Sequence, residues 1–224
     1  FNLYDGKYQG FVKLDLNTPD PKYEFHSELV HVDSNPLLKD SASLNDVVYG
    51  LLFANLSVQG QGFAKDQLVK TLSGKGALKI EKGKFTTLDI WSQLAPAFQL
   101  LGNVGKSKEL ARIGDDLSRF PKETQFSRFE GNFELKDGSA GSSDLILETA
   151  EQDMSLTLLL NGKFGLDTSL DFAGKLRFAP QSKYYQDMEK NFRDFKQSDG
   201  SIELPFPIPI GGTLLKPEIS LQSA

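Results

Sequence analysis

The feature that most constrains this chain is an alternation of apolar and polar residues, punctuated by Gly, Asn, Asp and Pro. A side-chain period of two belongs to the β-strand, whose successive residues point to opposite faces. In the first such run Tyr8, Val12, Leu14 and Leu16 fall on one face and Lys13 and Asp15 on the other. Asn17-Thr18-Pro19-Asp20-Pro21 ends it, and Tyr23, Phe25 and Leu29 then alternate with Glu24, His26 and Glu28, which predicts a hairpin. The pattern returns at residues 53–63, with Ala54, Leu56 and Val58 on one face before Gly60 and Gly62, and at 75–82, where Lys82-Gly83 reads as a turn. It resumes with Phe129, Phe133 and Leu135, and again with Met154, Leu156, Leu158 and Leu160, followed by Phe164, Leu166, Leu170 and Phe172. Asp137-Gly138 and Asn161-Gly162 both suit type I′ turns, and residues 144–149 are the expected partner strand after the first.

Elsewhere the period becomes helical. Residues 68–72 predict a short helix stopped by Gly74. Leu88, Trp91, Leu94, Ala95 and Phe98 predict a longer one that Pro96 kinks or divides. Gly102-Asn103-Val104-Gly105 is expected to separate it from a second helix, with Leu110, Ile113, Leu117 and Phe120 on one face and Pro121 at its end. Residues 181–197 predict a charged surface helix on the face of Tyr185, Met188, Phe192 and Phe195, whereas residues 35–40 read as a break. Near the end, Ile202, Leu204, Phe206, Ile208 and Ile210 share one side with Pro205, Pro207 and Pro209 between them. Prolines at every second position can point their missing donors in one direction, which predicts an edge strand and forbids a central one. The expected fold is mainly β: a single domain spanning 1–224, built on a twisted antiparallel sheet able to form an open groove, with helices near 88–120 and 182–197.

Function classes narrow by composition. The chain has 224 residues, no Cys and a formal charge of −5, so it can bury a core without disulfides and offers neither a thiolate nor a visible Lys/Arg cluster for nucleic acid. Its longest nearly apolar stretch, residues 47–56, falls short of the roughly 20 residues a spanning helix needs. Beginning at Phe1 without Met, basic leader or cleavage site, it reads as an excised fragment. His26 and His31 lie five apart in one predicted strand, and an odd spacing puts them on opposite faces of a straight strand, where they cannot share a metal. Asp115-Asp116 diverge by about 100° on a helix and read, like Asp137 and Asp144, as solvated surface. No G-x-S-x-G, P-loop or H-E-x-x-H spacing occurs, and residues 102–107 lack the leading glycine of a phosphate loop. Neither a cofactor nor catalysis is expected.

Three stretches together resemble the C-terminal region of the AsmA family. These are Asn35-Pro36-Leu37-Leu38-Lys39 followed by the strand ending Gly60-Gln61-Gly62; Leu72-Ser73-Gly74-Lys75-Gly76-Ala77-Leu78 through Gly83 before a helical insert; and Phe126 to Gly138 with the closing Gly212-Thr213-Leu214-Leu215-Lys216-Pro217. In order and spacing the likeness runs from about Tyr4 to Ser220. It implies a periplasmic part of an inner-membrane-anchored protein, whose N-terminal anchor is not in this sequence, with a place in outer-membrane assembly or phospholipid movement along a β groove with an apolar concave face.

An apolar sheet face always needs a cover. Trp91, Phe98 and Leu117 are candidates to close it, while another part of the face stays open for acyl chains, each methylene withdrawn from water being worth about 0.8 kcal/mol. The residues expected to line such a trough are Val12, Leu14, Phe133, Leu135, Leu156, Leu158, Phe164 and Leu166, with Asp15, Glu134, Thr157 and Asp167 keeping the opposite face wet. The alternative is a structural domain whose apolar face is fully internal and whose edge or helices dock a periplasmic or outer-membrane protein partner.

Overall fold

The computed structural model describes residues 1–150 and 154–219. In chain order the elements are β1 (Asn2–Leu3), β2 (Gly6–Asp15), β3 (Lys22–Asp33), α1 (Ser34–Ala42), β4 (Val48–Gln61), α2 (Lys65–Thr71), β5 (Ser73–Phe85), α3 (Ile90–Val104), α4 (Lys108–Leu117), β6 (Thr124–Lys136), β7 (Ser139–Thr149), β8 (Leu156–Gly165) and β9 (Leu170–Phe178). Then come α5 (Tyr185–Phe192), a 3-10 turn (Arg193–Phe195), β10 (Ile202–Glu203), β11 (Ile208–Thr213) and β12 (Lys216–Ile219). The fold is mainly β: one open, twisted, twelve-stranded antiparallel sheet in the order β1 to β9, then β11 and β12, with β10 also beside β9.

Because neighbouring strands run in opposite directions, alternate connections lie at the same end of the sheet. The β3–β4, β5–β6 and β9–β10 connections therefore bring α1, the α3–α4 pair and α5 together over one end. There they cover a row of paired residues, Val32, Leu52, Ile80, Phe129, Leu147, Leu158 and Leu176, that crosses from β3 to β9 on one face. Leu158 and Leu176 are fully buried in this core with Leu94, Phe98, Ile113 and Met188 from the helices, and Val32 is fully buried at the β3 end of the row. Each such side chain contributes on the order of 1.5–3 kcal/mol. Phe98 of α3 meets Phe178 of β9 edge to face with ring centres 6.1 Å apart.

Register breaks occur at Leu29/Val32 in β3, Tyr49/Leu51 between β4 and β5, Phe126/Arg128 and Glu130/Glu134 between β6 and β7, and Ser142/Leu145 between β7 and β8. Bulges increase twist and bend a strand, and these let the sheet curl around the helices. The curl brings the β12 side to α3: Thr87 Oγ1 donates to the Leu214 carbonyl (2.8 Å), and the Ile219 amide donates to Gln93 Oε1 (3.0 Å).

Several expectations are corrected. Residues 35–40 are helical within α1: Asp33 caps it by accepting from the Asn35 amide (3.1 Å), and Pro36 sits in the first turn, where no intrahelical donor is required. Gly74 does not stop α2, because β5 has already begun at Ser73. Lys82-Gly83 is not a turn either: Lys82 takes a positive φ of 50° in the bulged part of β5 and the strand continues to Phe85. Pro96 does not divide α3, which runs on through Gly102 to Val104 under the burial of Trp91, Leu94, Ala95 and Phe98. Asn161-Gly162 lies inside β8, where Gly162 is required by the Asp171 carbonyl, 2.1 Å from where a Cβ would stand. The reversal comes after Gly165, where the Asp167 carboxylate accepts from the Ser169 amide (3.0 Å). Asp137-Gly138 is the expected two-residue turn, with φ of 50° and 72°. The proline-spaced strand β11 is not the edge: it pairs with β9 from Ile208 to Ile210 and with β12 from Ile210 to Thr213. Pro209 stands opposite Ala173 of β9.

Two outcomes are expected. Leu158→Asp places a carboxylate without a partner in the covered row, costing several kcal/mol, so urea denaturation should show it largely unfolded, while Thr157→Asp on the other face stays near wild type. The second concerns pH. On β10, Glu203 accepts from Lys175 Nζ (2.9 Å) and Arg177 Nε (2.8 Å) of β9. Burial pushes its pKa up, but the two cations outweigh burial and hold the carboxyl below its ordinary 4.5. A depressed folded pKa gives stability that is present above the unfolded value and lost as pH falls through the folded one. The melting temperature should therefore decline as pH drops below 4.5, and Glu203→Gln should flatten that decline.

Candidate functional site

On the same face as the covered core, some 20 Å further along the strands at about 3.3 Å per residue, a second row of partners crosses from β2 to β9. It consists of Val12, Phe25, Val58, Gly74, Leu135, Ala140, Phe164 and Leu170. Three of the residues singled out in the sequence, Val12, Leu135 and Phe164, thus fall in one line. Leu14 stands one pleat further from the helices, paired with Tyr23, and Phe133 one pleat nearer, paired with Gly76. Val12 and Leu14 are 56% and 54% exposed, and Phe133, Leu135 and Phe164 are half-buried.

Glycines explain how apolar side chains lie half-buried there. A Cβ on Gly76 would stand 2.6 Å from the Phe133 ring, and one on Gly60 would stand 2.3 Å from the Tyr23 hydroxyl oxygen. The rings recline over the bare backbone of the neighbouring strand, a cross-strand aromatic–glycine pairing that also pins register. Tyr23 in turn stacks on Phe63, with ring centres 5.5 Å apart. The result is a low, broad apolar surface about 34 Å across, from seven strand spacings of about 4.8 Å.

The remaining candidates lie elsewhere. Leu156 and Leu158 are 2% and 0% exposed, so they belong to the covered core and not to a trough. Length along β8 decides this: the helices reach the start of the strand, and Phe164 lies beyond them. Leu166 is 45% exposed, but it occupies the β8–β9 reversal, where with Val69 of α2 it lines a cleft rimmed by Asp137, Lys163, Asp167 and Asp171. Tyr23, Phe25 and Leu56 complete the open surface. Tyr23 and Phe25 alternate visibly in the sequence, and only strand register assigns them to the trough.

The opposite face carries charge, as its alternation implies. Lys75 pairs with Glu134, Lys79 with Glu130 and Glu81 with Arg128 across β5 and β6, and Thr157 lies between Glu148 and Arg177. Arg128 donates to Glu148 (2.5 Å) and Glu130 (2.7 Å). This face is not uniformly wet: Phe53, Ala77 and Ile146 line a shallow groove of about 520 Å³ together with Glu28, Asn55 and Glu130.

Straight-strand parity fails for the histidines. The β3 bulge, where His31 has a φ of 63°, turns His31 onto the charged face that also carries His26. Each meets a different ring, His26 with Phe11 (5.5 Å) and His31 with Phe53 (5.4 Å). Among the described residues no group of three or more His, Asp or Glu is placed to hold a metal ion. Asp144 clips a bulge in β7 by accepting from the Asn132 side chain (2.7 Å) and amide (2.9 Å), which holds its carboxyl below the usual range. Asp115 accepts from Gln99 (3.0 Å), tying α4 to α3.

No family model, curated protein or solved structure matches the chain.

The reclining-ring arrangement predicts a sharp contrast between two glycines. Gly76→Ala must displace both the Phe133 ring and the Asn55 carbonyl 2.5 Å away and should cost about 1–3 kcal/mol in chemical denaturation. At Gly141 the nearest atom is 3.9 Å from an added Cβ, so Gly141→Ala should change stability by less than about 0.5 kcal/mol.

Proposed function

We propose that this domain is a noncatalytic lipid-handling module of the AsmA-like kind, which binds or guides acyl chains along the open half of its apolar face. The observation that supports it is the second row, in which Val12 is exposed and Phe25, Leu135 and Phe164 are half-buried, although Val58 is buried and Leu170 packs on the core, with charged side chains on the reverse of the sheet. Soluble proteins rarely leave apolar surface contiguous over such a width without something to lay on it. An acyl chain suits a low surface without pockets, since its contact free energy comes from displaced water and not from directed polar bonds. Headgroups would stay in water at the strand ends, beside the β2–β3 and β8–β9 reversals.

On this reading the domain belongs to a periplasmic protein anchored in the inner membrane through a segment outside this sequence, and it serves outer-membrane biogenesis. Among the described residues no helix is long and apolar enough to cross a membrane. A second reading is a structural domain that docks an outer-membrane assembly partner through its sheet edge or helices.

Photo-crosslinking with a phospholipid bearing a diazirine on its acyl chain tests the proposal. Label should concentrate on residues of β2 to β8 in the open half. Leu135→Asp and Phe133→Ser should each reduce labelling several-fold while the cooperative melt is kept, because both positions reach solvent. Undiminished labelling in both variants, or label confined to the charged face, would remove the trough from the proposal and favour the docking domain.

A further inference from the structure

Tyr4, Tyr49 and Tyr185 each donate a hydroxyl hydrogen bond, to Asp40, Asp46 and the Gly200 carbonyl. Tyr23 does not. Its hydroxyl oxygen is buried and has no hydrogen-bond partner, although the residue as a whole is half-buried. A hydroxyl withdrawn from water without a partner costs free energy that a Phe in the same place would not, and a Phe would keep the ring. This hydroxyl lies on the open half of the apolar face. Tyr23 stands between Leu14 of β2 and Gly60 of β4, two residues before Phe25 of the second row and on the same side of the sheet. Its position is fixed from two directions. A Cβ on Gly60 would stand 2.3 Å from the hydroxyl oxygen, and Phe63 stacks on the ring with 13° between the planes. Phe63 belongs to the three-residue link between β4 and α2 and is 59% exposed, so it can turn aside with little loss of burial.

We infer that the Tyr23 hydroxyl is the polar anchor of the trough and donates to the ester carbonyl of a bound glycerolipid when Phe63 turns aside; this rests on the lipid-handling reading above. Position along the strand supports the assignment. Tyr23 lies one residue inside the last β2–β3 pair, Asp15↔Lys22, next to the reversal. A lipid with its headgroup in water at that reversal and its chains on Val12 and Phe25 brings the ester, which joins the two parts, to Tyr23. The acceptor is a neutral one. Lys13 and Lys22 stand on the opposite face, where Lys13 is paired with Glu24 at 3.1 Å. A phosphate or carboxylate drawn to the buried hydroxyl would therefore lose its water without gaining either of these cations, which is far more costly than burying a carbonyl that receives a hydrogen bond. The anchor also gives the bound lipid a direction: ester at the β2–β3 end, chains towards the middle of the sheet.

Titration calorimetry with two lipids tests the anchor: a short-chain diacyl phosphatidylcholine and its dialkyl ether counterpart, which has the same headgroup and chain length but no ester carbonyl, both kept below their micelle concentrations. Wild type should bind the diester about three- to ten-fold more tightly than the diether, the range of one net hydrogen bond. Tyr23→Phe should bind both equally, at the affinity wild type shows for the diether. In urea Tyr23→Phe should be at least as stable as wild type, because it removes an unpaired hydroxyl and keeps the ring. Equal binding of the two lipids by wild type, or a preference for the diester that survives Tyr23→Phe, overturns the anchor while leaving the trough standing. A Tyr23→Phe variant that weakens both lipids alike, or that unfolds at lower urea than wild type, overturns it too, since the hydroxyl would then serve the fold. If neither lipid binds wild type, the trough reading falls together with the anchor.

Discussion

The structure depends on one constraint: a single sheet with one apolar face wider and longer than its helices can cover. The covered row from Val32 to Leu176 and the open row from Val12 to Leu170 belong to the same face and are built from the same residue types. What separates them is the placement of helical connections at one end, a consequence of strands that reverse direction at each step. The bulges follow from the same constraint, since a flat sheet could not wrap the helices and bring Gln93 to the far strand.

Glycine gives the open half its character. A large ring standing upright on an uncovered sheet would expose most of its area. With no Cβ beneath them, Phe133 and Tyr23 lie down on the neighbouring strand and are shielded by the sheet itself. The surface can remain apolar without a second layer.

Much of this was legible in the sequence. Period-two alternation gave the β class and most strands, helical spacing gave α3, α4 and α5, and Asp137-Gly138 marked its turn correctly. Errors arose where a local signal met a tertiary demand. Asn161-Gly162 has the composition of a turn, but its glycine answers the close approach of the Asp171 carbonyl. Lys82-Gly83 looks like a reversal and is a bulge, and the same kind of defect at His31 inverted the parity that would have set the histidines on opposite faces.

The sequence by itself determined which residues share a face, because alternation is a property of each strand alone: Leu158 and Phe164 are six residues apart in β8 and on the same side. Only the tertiary structure decided that Leu158 is core and Phe164 is surface, because that depends on how far α3, α4 and α5 reach along the strands, a distance fixed by packing between segments remote in the chain. It likewise gathered Val12, Leu135 and Phe164 into one line, since register between strands is set by bulges, turns and reclining rings acting together and by no single run of residues.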